Sequence, residues 1–335
     1  MKRGVFLKYK KLTALLVSAA LLLSGCSGLK KEQNQVYTDT LFDTVVRIEI
    51  LDRADEEVLK GCENICKKYH AMFSNKIEDS EISRINSAGG NSVEVSDETV
   101  TLLRKAIYYG DLSNGAFDVT IAPVSNLWDF HAEAPALPAP EAIYEAASHV
   151  DYKNILIDGN TVRLLDPYAS IDVGGIAKGY IADILKKYLK EQGVKHAVIN
   201  LGGNVLAMGS RLDGSDYNIG IQKPFDMTGE PITSVRISNK SVVTSGTYQR
   251  YFEADGKLYH HILDPNTGYP CENNLTSVTI ITNSSLTADA LSTTCFLLGY
   301  DKSMRLIEQL DNVDAVFITN DNKIHYSKNF QHKLK

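Results

Sequence analysis

Residues 44–51 (TVVRIEIL) alternate apolar and polar positions in the manner of a half-buried strand, and residues 56–71 then change to the spacing of an amphipathic helix. Residues 80–86 read as a short helical turn, and 96–109 as a helix with Ser96 as its N-cap. A Pro/Ala-rich stretch over 132–140 predicts a loop. Residues 155–157 and 161–165 flank Asp158-Gly159-Asn160, a good hairpin signal. Further on, 176–192 has helical spacing and 196–201 reads as a buried strand. Residues 217–222, 232–238, 241–245, 259–263 and 277–282 read as more strands, and 285–294 as a helix. Hairpin-linked strands with interspersed helices predict an α+β fold, with mixed and antiparallel sheets, flanking helices and two closely joined subdomains.

The first segment points to a compartment. Lys2, Arg3, Lys8, Lys10 and Lys11 precede an apolar run over 12–23, the layout of a signal peptide, and the run is shorter than the roughly 20 residues that span a bilayer as a helix. It ends in Leu23-Ser24-Gly25-Cys26, which resembles a bacterial lipobox; the alternative is an ordinary secretory signal with an incidental cysteine. The expected organisation is a signal peptide over 1–25, lipidation at Cys26, a polar tether over 26–36 and a domain over 37–335. The expected location is the cell membrane, lipid-anchored on its extracytoplasmic face, because acyl chains make a further membrane segment unnecessary.

Composition narrows the partners. The chain has 335 residues and a net charge of -6 with no basic stripe, which argues against nucleic acid. Cys62 and Cys66 lie one helical turn apart. They read either as a ligand or redox pair or as buried small residues, and the second reading is favoured because no other cysteine pair or nearby histidine completes a metal set. Whether Cys271 and Cys295 pair stays open.

Three segments carry candidate chemistry, and a fourth is a candidate pocket lining. In 170–180 (SIDVGGIAKGY) an extended stretch runs through Gly174 and Gly175 into a helix with Lys178 near its start. This suits a pyrophosphate, which backbone N–H groups and a cation would hold, and it equally suits a tight strand-to-helix connection capped by Asp172. The spacing matches neither a Rossmann nor a P-loop fingerprint. In 285–294 (SLTADALSTT), Asp289 and Thr293 share a helix face and can reach one Mg²⁺, while a lone Asp there also reads as a dipole partner. In 259–270 (YHHILDPNTGYP), two adjacent histidines on a strand point to opposite faces, so one can face a site. Phe117, Asp118 and Trp128 in 115–130 are either the lining of a flat-ring pocket or a core stretch.

GAFDVTIAPVSNLWDF, SIDVGGIAKGYIAD, INLGGNV, VVTSGTYQRYF, HHILDPNTGYP and SLTADALSTT, in this order, resemble the ApbE family of FAD:protein FMN transferases over nearly the whole mature chain. The resemblance implies the fold of that family and Mg²⁺-dependent cleavage of FAD. FMN would pass through a phosphoester to a threonine or serine of an acceptor protein, with release of AMP. It implies an exported or membrane acceptor, with electron-transfer flavoproteins as the expected kind. It places Ala116, Phe117, Asp118, Asp172 and Lys178 against FAD. Mg²⁺ would lie between the Gly175 carbonyl, the Asp289 carboxylate and the Thr293 hydroxyl, with Ser292 and Leu263 nearby, and His261 would handle the acceptor's proton beside Asp289. The sequence departs from the family pattern at Phe42-Asp43-Thr44, where Met-Gly-Thr is usual. It departs again near Lys76, where relatives often carry an aromatic ring, and at Ser292, where some have a second aspartate; Phe42 and Lys76 are edge contacts to FAD on this reading. FAD hydrolysis and FAD binding without turnover remain the rival activities.

Overall fold

A computed structural model describes residues 35–331 apart from 53–54, 131, 133–134 and 227. Its spine is an eight-stranded sheet in the order Gln35–Leu41, Thr44–Ile50, Ala197–Leu201, Asn204–Met208, Ser241–Gly246, Leu275–Thr282, Asp314–Thr319 and Ile324–Tyr326. Every neighbouring pair is antiparallel. The helices Glu56–Phe73, Ala177–Glu191 and Ser285–Leu298 contribute to one large apolar cluster with the sheet, and the hairpin Tyr217–Gln222/Pro231–Ile237 joins a second cluster built on Val242, Ile281, Val316 and Ile318. Leu275–Thr282 therefore sits in a covered part of the sheet and is buried at every position. Its hydroxyl residues Thr276, Ser277, Thr279 and Thr282 are buried with its apolar ones, so burial there does not alternate along the strand.

A three-stranded sheet (Val93–Glu94, Thr161–Leu164, Ile155–Asp158) and the hairpin Tyr251–Ala254/Lys257–His260 complete the sheets of the described residues. A third apolar cluster of Val124, Trp128, Ile143, Phe252 and Leu263 anchors that hairpin. The α+β class is as expected. The described residues form one compact unit, within which the expected subdomains are closely joined.

Several boundaries differ from the sequence reading. The first strand begins at Gln35, two residues inside the expected tether, and pairs along its length with Thr44–Ile50. The strand expected over 259–263 stops at His260, because the chain turns at Asp264-Pro265: Gly268 N donates to the Asp264 carbonyl at 2.8 Å and Leu263 bridges to Pro270. The helices Pro140–Ala147 and Tyr300–Ile307 and the strand Asp314–Thr319 carried no expectation. Cys62, Cys66, Cys271 and Cys295 are buried free thiols, and burial pushes the thiols of Cys62 and Cys66 up to about 12. The expected leader and Cys26 lie outside the described residues. No described helix is long and apolar enough to cross a membrane.

Candidate active site

A cleft of about 560 Å³ opens where the loop over 170–176 meets the helix Ser285–Leu298, the 115–130 segment and the turn after His260. Of the residues singled out from sequence, Phe42, Lys76, Ala116, Phe117, Asp118, Asp172, Gly175, Lys178, His261, Leu263, Asp289 and Thr293 all line it.

Its deepest corner is made by two helices in backbone contact. A Cβ on Gly179 would lie 2.3 Å from the Ser285 carbonyl oxygen and 2.7 Å from Asp289 Cβ, so only glycine fits this approach. Asp289 is buried, and its Oδ2 accepts a 2.8 Å hydrogen bond from Gly179 N. Oδ1 is left toward the cleft, with Lys178 Nζ 3.9 Å away. Lys178 Nζ also donates to the Gly174 carbonyl at 2.6 Å. Asp172 does not cap the helix: its Oδ1 accepts from Gly174 N at 2.8 Å, closing an Asx turn, and the helix starts at Ala177 with no side-chain cap. A Cβ on Gly175 would meet Phe117 Cε2 at 3.2 Å and Thr293 Oγ1 at 3.7 Å, so the loop, the ring and the hydroxyl converge. Ser292 is not a cleft residue. It is fully buried, donates to the Asp289 carbonyl at 2.9 Å and stands 2.8 Å from Ser245 Oγ. Ser245 in turn lies 3.2 Å from Thr293 Oγ1, so this hydroxyl, which the sequence reading left without a role, ties the sheet to the helix.

The wall that adjoins this corner is aromatic. Phe117 lines it, and the Trp128 indole donates from Nε1 to the Gly268 carbonyl at 3.0 Å while stacking on Phe130 and Tyr259. Asp118 Oδ1 accepts from Thr120 N (2.7 Å) and Thr120 Oγ1 (2.6 Å), and its Oδ2 from Tyr152 N (2.8 Å). Burial holds the Asp118 carboxyl above its ordinary range, which those donors oppose. These bonds make Asp118 an organiser of the wall as well as part of its surface.

The two histidines divide as strand alternation requires. His260 faces the core: Nε2 lies 3.1 Å from the Cys271 carbonyl, Nδ1 accepts from Ile262 N at 3.3 Å, and burial pushes its pKa down to about 4. His261 faces the cleft. Its N–H donates to the Arg250 carbonyl at 3.1 Å, and Nδ1 lies 3.3 Å from the same oxygen. A proton on Nδ1 would satisfy that contact and leave Nε2 as an acceptor. Burial first, then the Arg250 charge, pushes the His261 pKa down to about 3, which keeps the ring neutral in the free protein.

The rim is a separate construction. Phe42 and Asp43 both sit at φ 56° in the two-residue turn between Leu41 and Thr44. Phe42 N donates to His70 Nδ1 at 3.3 Å and its ring meets His70 edge-on. Lys76 Nζ pairs with Asp43 Oδ2 at 2.6 Å, and both side chains are exposed.

The cleft thus gathers a carboxylate, a lysine, hydroxyls, aromatic rings and a histidine, the convergent polar groups of a candidate active site. The ApbE family model matches residues 42–317. A FAD:protein FMN transferase of Treponema pallidum is 31% identical over 325 residues, covering 91% of this chain and 90% of its own. One of Klebsiella pneumoniae is 37% identical over 273 residues, covering 81% and 84%. Among solved structures, the ApbE protein of Thermotoga maritima superposes with a TM-score of 0.82 at 32% identity over 90% of this chain and all of its own. The flavin transferase ApbE of Vibrio cholerae gives 0.79 at 27% identity, over 90% of this chain and 99% of its own. The chain belongs to the ApbE family.

Proposed function

We propose that this protein is a FAD:protein FMN transferase that depends on Mg²⁺. The observation that carries the reading is the convergence of Gly175, Lys178, Asp289 and Thr293 on one end of a cleft, with the Phe117 ring against Gly175 and His261 also in the lining. The donor set fits the ion. Among the described residues no three His, Cys, Asp or Glu side chains gather as a metal site, so a thiolate or imidazole metal has no home. One carboxylate oxygen, one hydroxyl and one carbonyl suit a hard cation that takes its remaining oxygens from phosphate and water. Asp289 Oδ1, Thr293 Oγ1 and the Gly175 carbonyl would hold it, and when bound it supplies charge neutralisation at the pyrophosphate.

The chain's own residues do the rest. Phe117 offers a flat apolar face and Lys178 a point charge beside the phosphates, while the amides of Gly174 and Ile176 are bonded within the loop to Asp172 Oδ1 and the Val173 carbonyl. The acceptor's threonine or serine oxygen attacks the FMN phosphorus, a new P–O bond forms, and the bond to the AMP phosphate breaks with the electron pair leaving on AMP. His261 Nε2 is the group placed to take the hydroxyl proton. The negative charge of the FAD diphosphate entering beside it opposes the Arg250 and Lys178 charges that depress its pKa, which raises its basicity when substrate is bound.

The leader over 1–25 and Cys26 support an extracytoplasmic, lipid-anchored enzyme whose acceptors are exported or membrane proteins. The test is incubation with FAD, Mg²⁺ and a threonine-bearing acceptor, followed by a denaturing gel. In-gel flavin fluorescence on the acceptor, lost with EDTA, is the expected result. Free FMN and AMP beside an unlabelled acceptor would replace transfer with hydrolysis.

A further inference from the structure

We propose that Asp183, which does not line the cleft, is a positioning residue that sets the register of the helix carrying Asp289 and Thr293; the proposal rests on the cation reading of that corner. Asp183 belongs to the helix Ala177–Glu191 and reaches across to the start of the helix Ser285–Leu298. Its Oδ2 accepts from Ser284 Oγ at 2.8 Å and Leu286 N at 3.0 Å, and its Oδ1 accepts from Ser285 N at 2.9 Å. First-turn amides have no partner within their own helix, and here the helix's own cap, Ser284, serves only Thr287 N, at 3.2 Å. The other helix is treated in return. It has no side-chain cap, and Asp289 Oδ2 accepts from its first-turn amide Gly179 N.

The exchange is reciprocal: Gly179 and Asp183 are four residues apart on one helix, and Ser285 and Asp289 four apart on the other. Each carboxylate holds the other helix's start, with Gly179 allowing backbone contact between them. A slide or rotation of one helix against the other would break both sets of bonds together. Asp183 thereby holds Asp289 Oδ1 and the Thr293 hydroxyl at their place opposite Gly175. Supports of this kind behind a ligand change metal affinity by roughly 10–100-fold when removed.

Asp183→Asn tests the role, because the carboxamide keeps one acceptor and turns an NH₂ toward donors. Mn²⁺ is titrated into the complex of the full chain with FAD and followed by electron paramagnetic resonance. FAD affinity is measured separately in EDTA. The expected result is Mn²⁺ affinity weaker by about tenfold or more, with metal-free FAD affinity within about twofold of wild type. Ser284→Asp placed on top keeps a cap for Thr287 N and adds a negative charge at the helix start, so thermal stability should recover while Mn²⁺ affinity does not. An unchanged Mn²⁺ affinity in Asp183→Asn, or its full recovery together with stability in the double variant, overturns the positioning role. Absence of Mn²⁺ binding by the wild-type FAD complex overturns the cation reading itself, and the positioning role with it.

Discussion

The two ends of the cleft are built on different principles. The inner corner is carried by buried helices whose carboxylates are bonded to each other's backbones, and the rim by a two-residue turn and an exposed ion pair. In the corner each group has several partners, so a substitution disturbs the set. At the rim the Lys76–Asp43 pair is exposed to solvent. The positions at which the resemblance implied a departure follow this division: Phe42-Asp43 and Lys76 sit at the rim, whereas Ser292 lies behind the corner with its hydroxyl bonded to Ser245 and Asp289.

The sharpest way to break this contrast is at Asp289. Asp289→Ala removes the carboxylate beside Lys178 and the cap on Gly179 N, and transfer should fall by on the order of 10²–10³-fold, with FAD binding partly kept. Acceptor fluorescence against time checks the rate, and quenching of flavin fluorescence checks binding. An equal loss of both would make Asp289 a general structural support. Gly179→Ala attacks the same corner from its backbone. The new Cβ would meet the Ser285 carbonyl at 2.3 Å and Leu286 Cα at 2.7 Å, neither of which can rotate away, so overpacking should destabilise by roughly 1–3 kcal/mol. Urea unfolding measures it, and wild-type stability would show that the helices can move apart cheaply.

How far these regions were legible from sequence follows from the range of the forces that shape them. The split of His260 and His261 follows from strand alternation, and the shared face of Asp289 and Thr293 from helix geometry, both local rules. Ser284 to Asp183 is a contact across 101 residues, and no local pattern announces it. Ser292 misled because it lies between 289 and 293 on the helix, and only the sheet strand bearing Ser245 decides that it points away from the cleft. Asp172 was read as a helix cap or a ligand contact, and which backbone N–H it would take depended on where the helix began, a boundary the two glycines obscure. The strand Asp314–Thr319 escaped because burial on both faces erases alternation.

A smaller effect concerns the buried neighbour of the cleft histidine. His260 has its pKa lowered from 6.5 to about 4, so the unfolded chain binds this proton more readily than the folded one. Its contribution is therefore fully present above pH 6.5 and is lost as pH falls toward 4, at up to about 1.4 kcal/mol per pH unit. His260→Gln should lower stability at neutral pH by removing a satisfied core imidazole, and should flatten the dependence of unfolding free energy on pH between 6.5 and 4 by about one proton. Denaturant midpoints across that range measure it, and an unchanged slope would assign the acid sensitivity elsewhere.

The smallest effect is expected at the rim. Lys76 and Asp43 are joined at 2.6 Å, but with side-chain exposures of 67% and 51% the pair works in high dielectric, where such contacts contribute little and salt weakens them. Lys76→Ala should leave stability within experimental error and change FAD affinity by no more than about fivefold, with the change shrinking as ionic strength rises. Asp43→Gly is different in kind, since Asp43 sits at φ 56° where glycine is at ease and an aspartate is merely tolerated. Relief of that backbone preference opposes loss of the ion pair, so the variant should hold wild-type stability. Fluorescence titrations of FAD at low and high salt separate the two contributions. A loss from Lys76→Ala as large as that from Asp289→Ala would mean that the rim, despite its exposure, grips the nucleotide as firmly as the corner does.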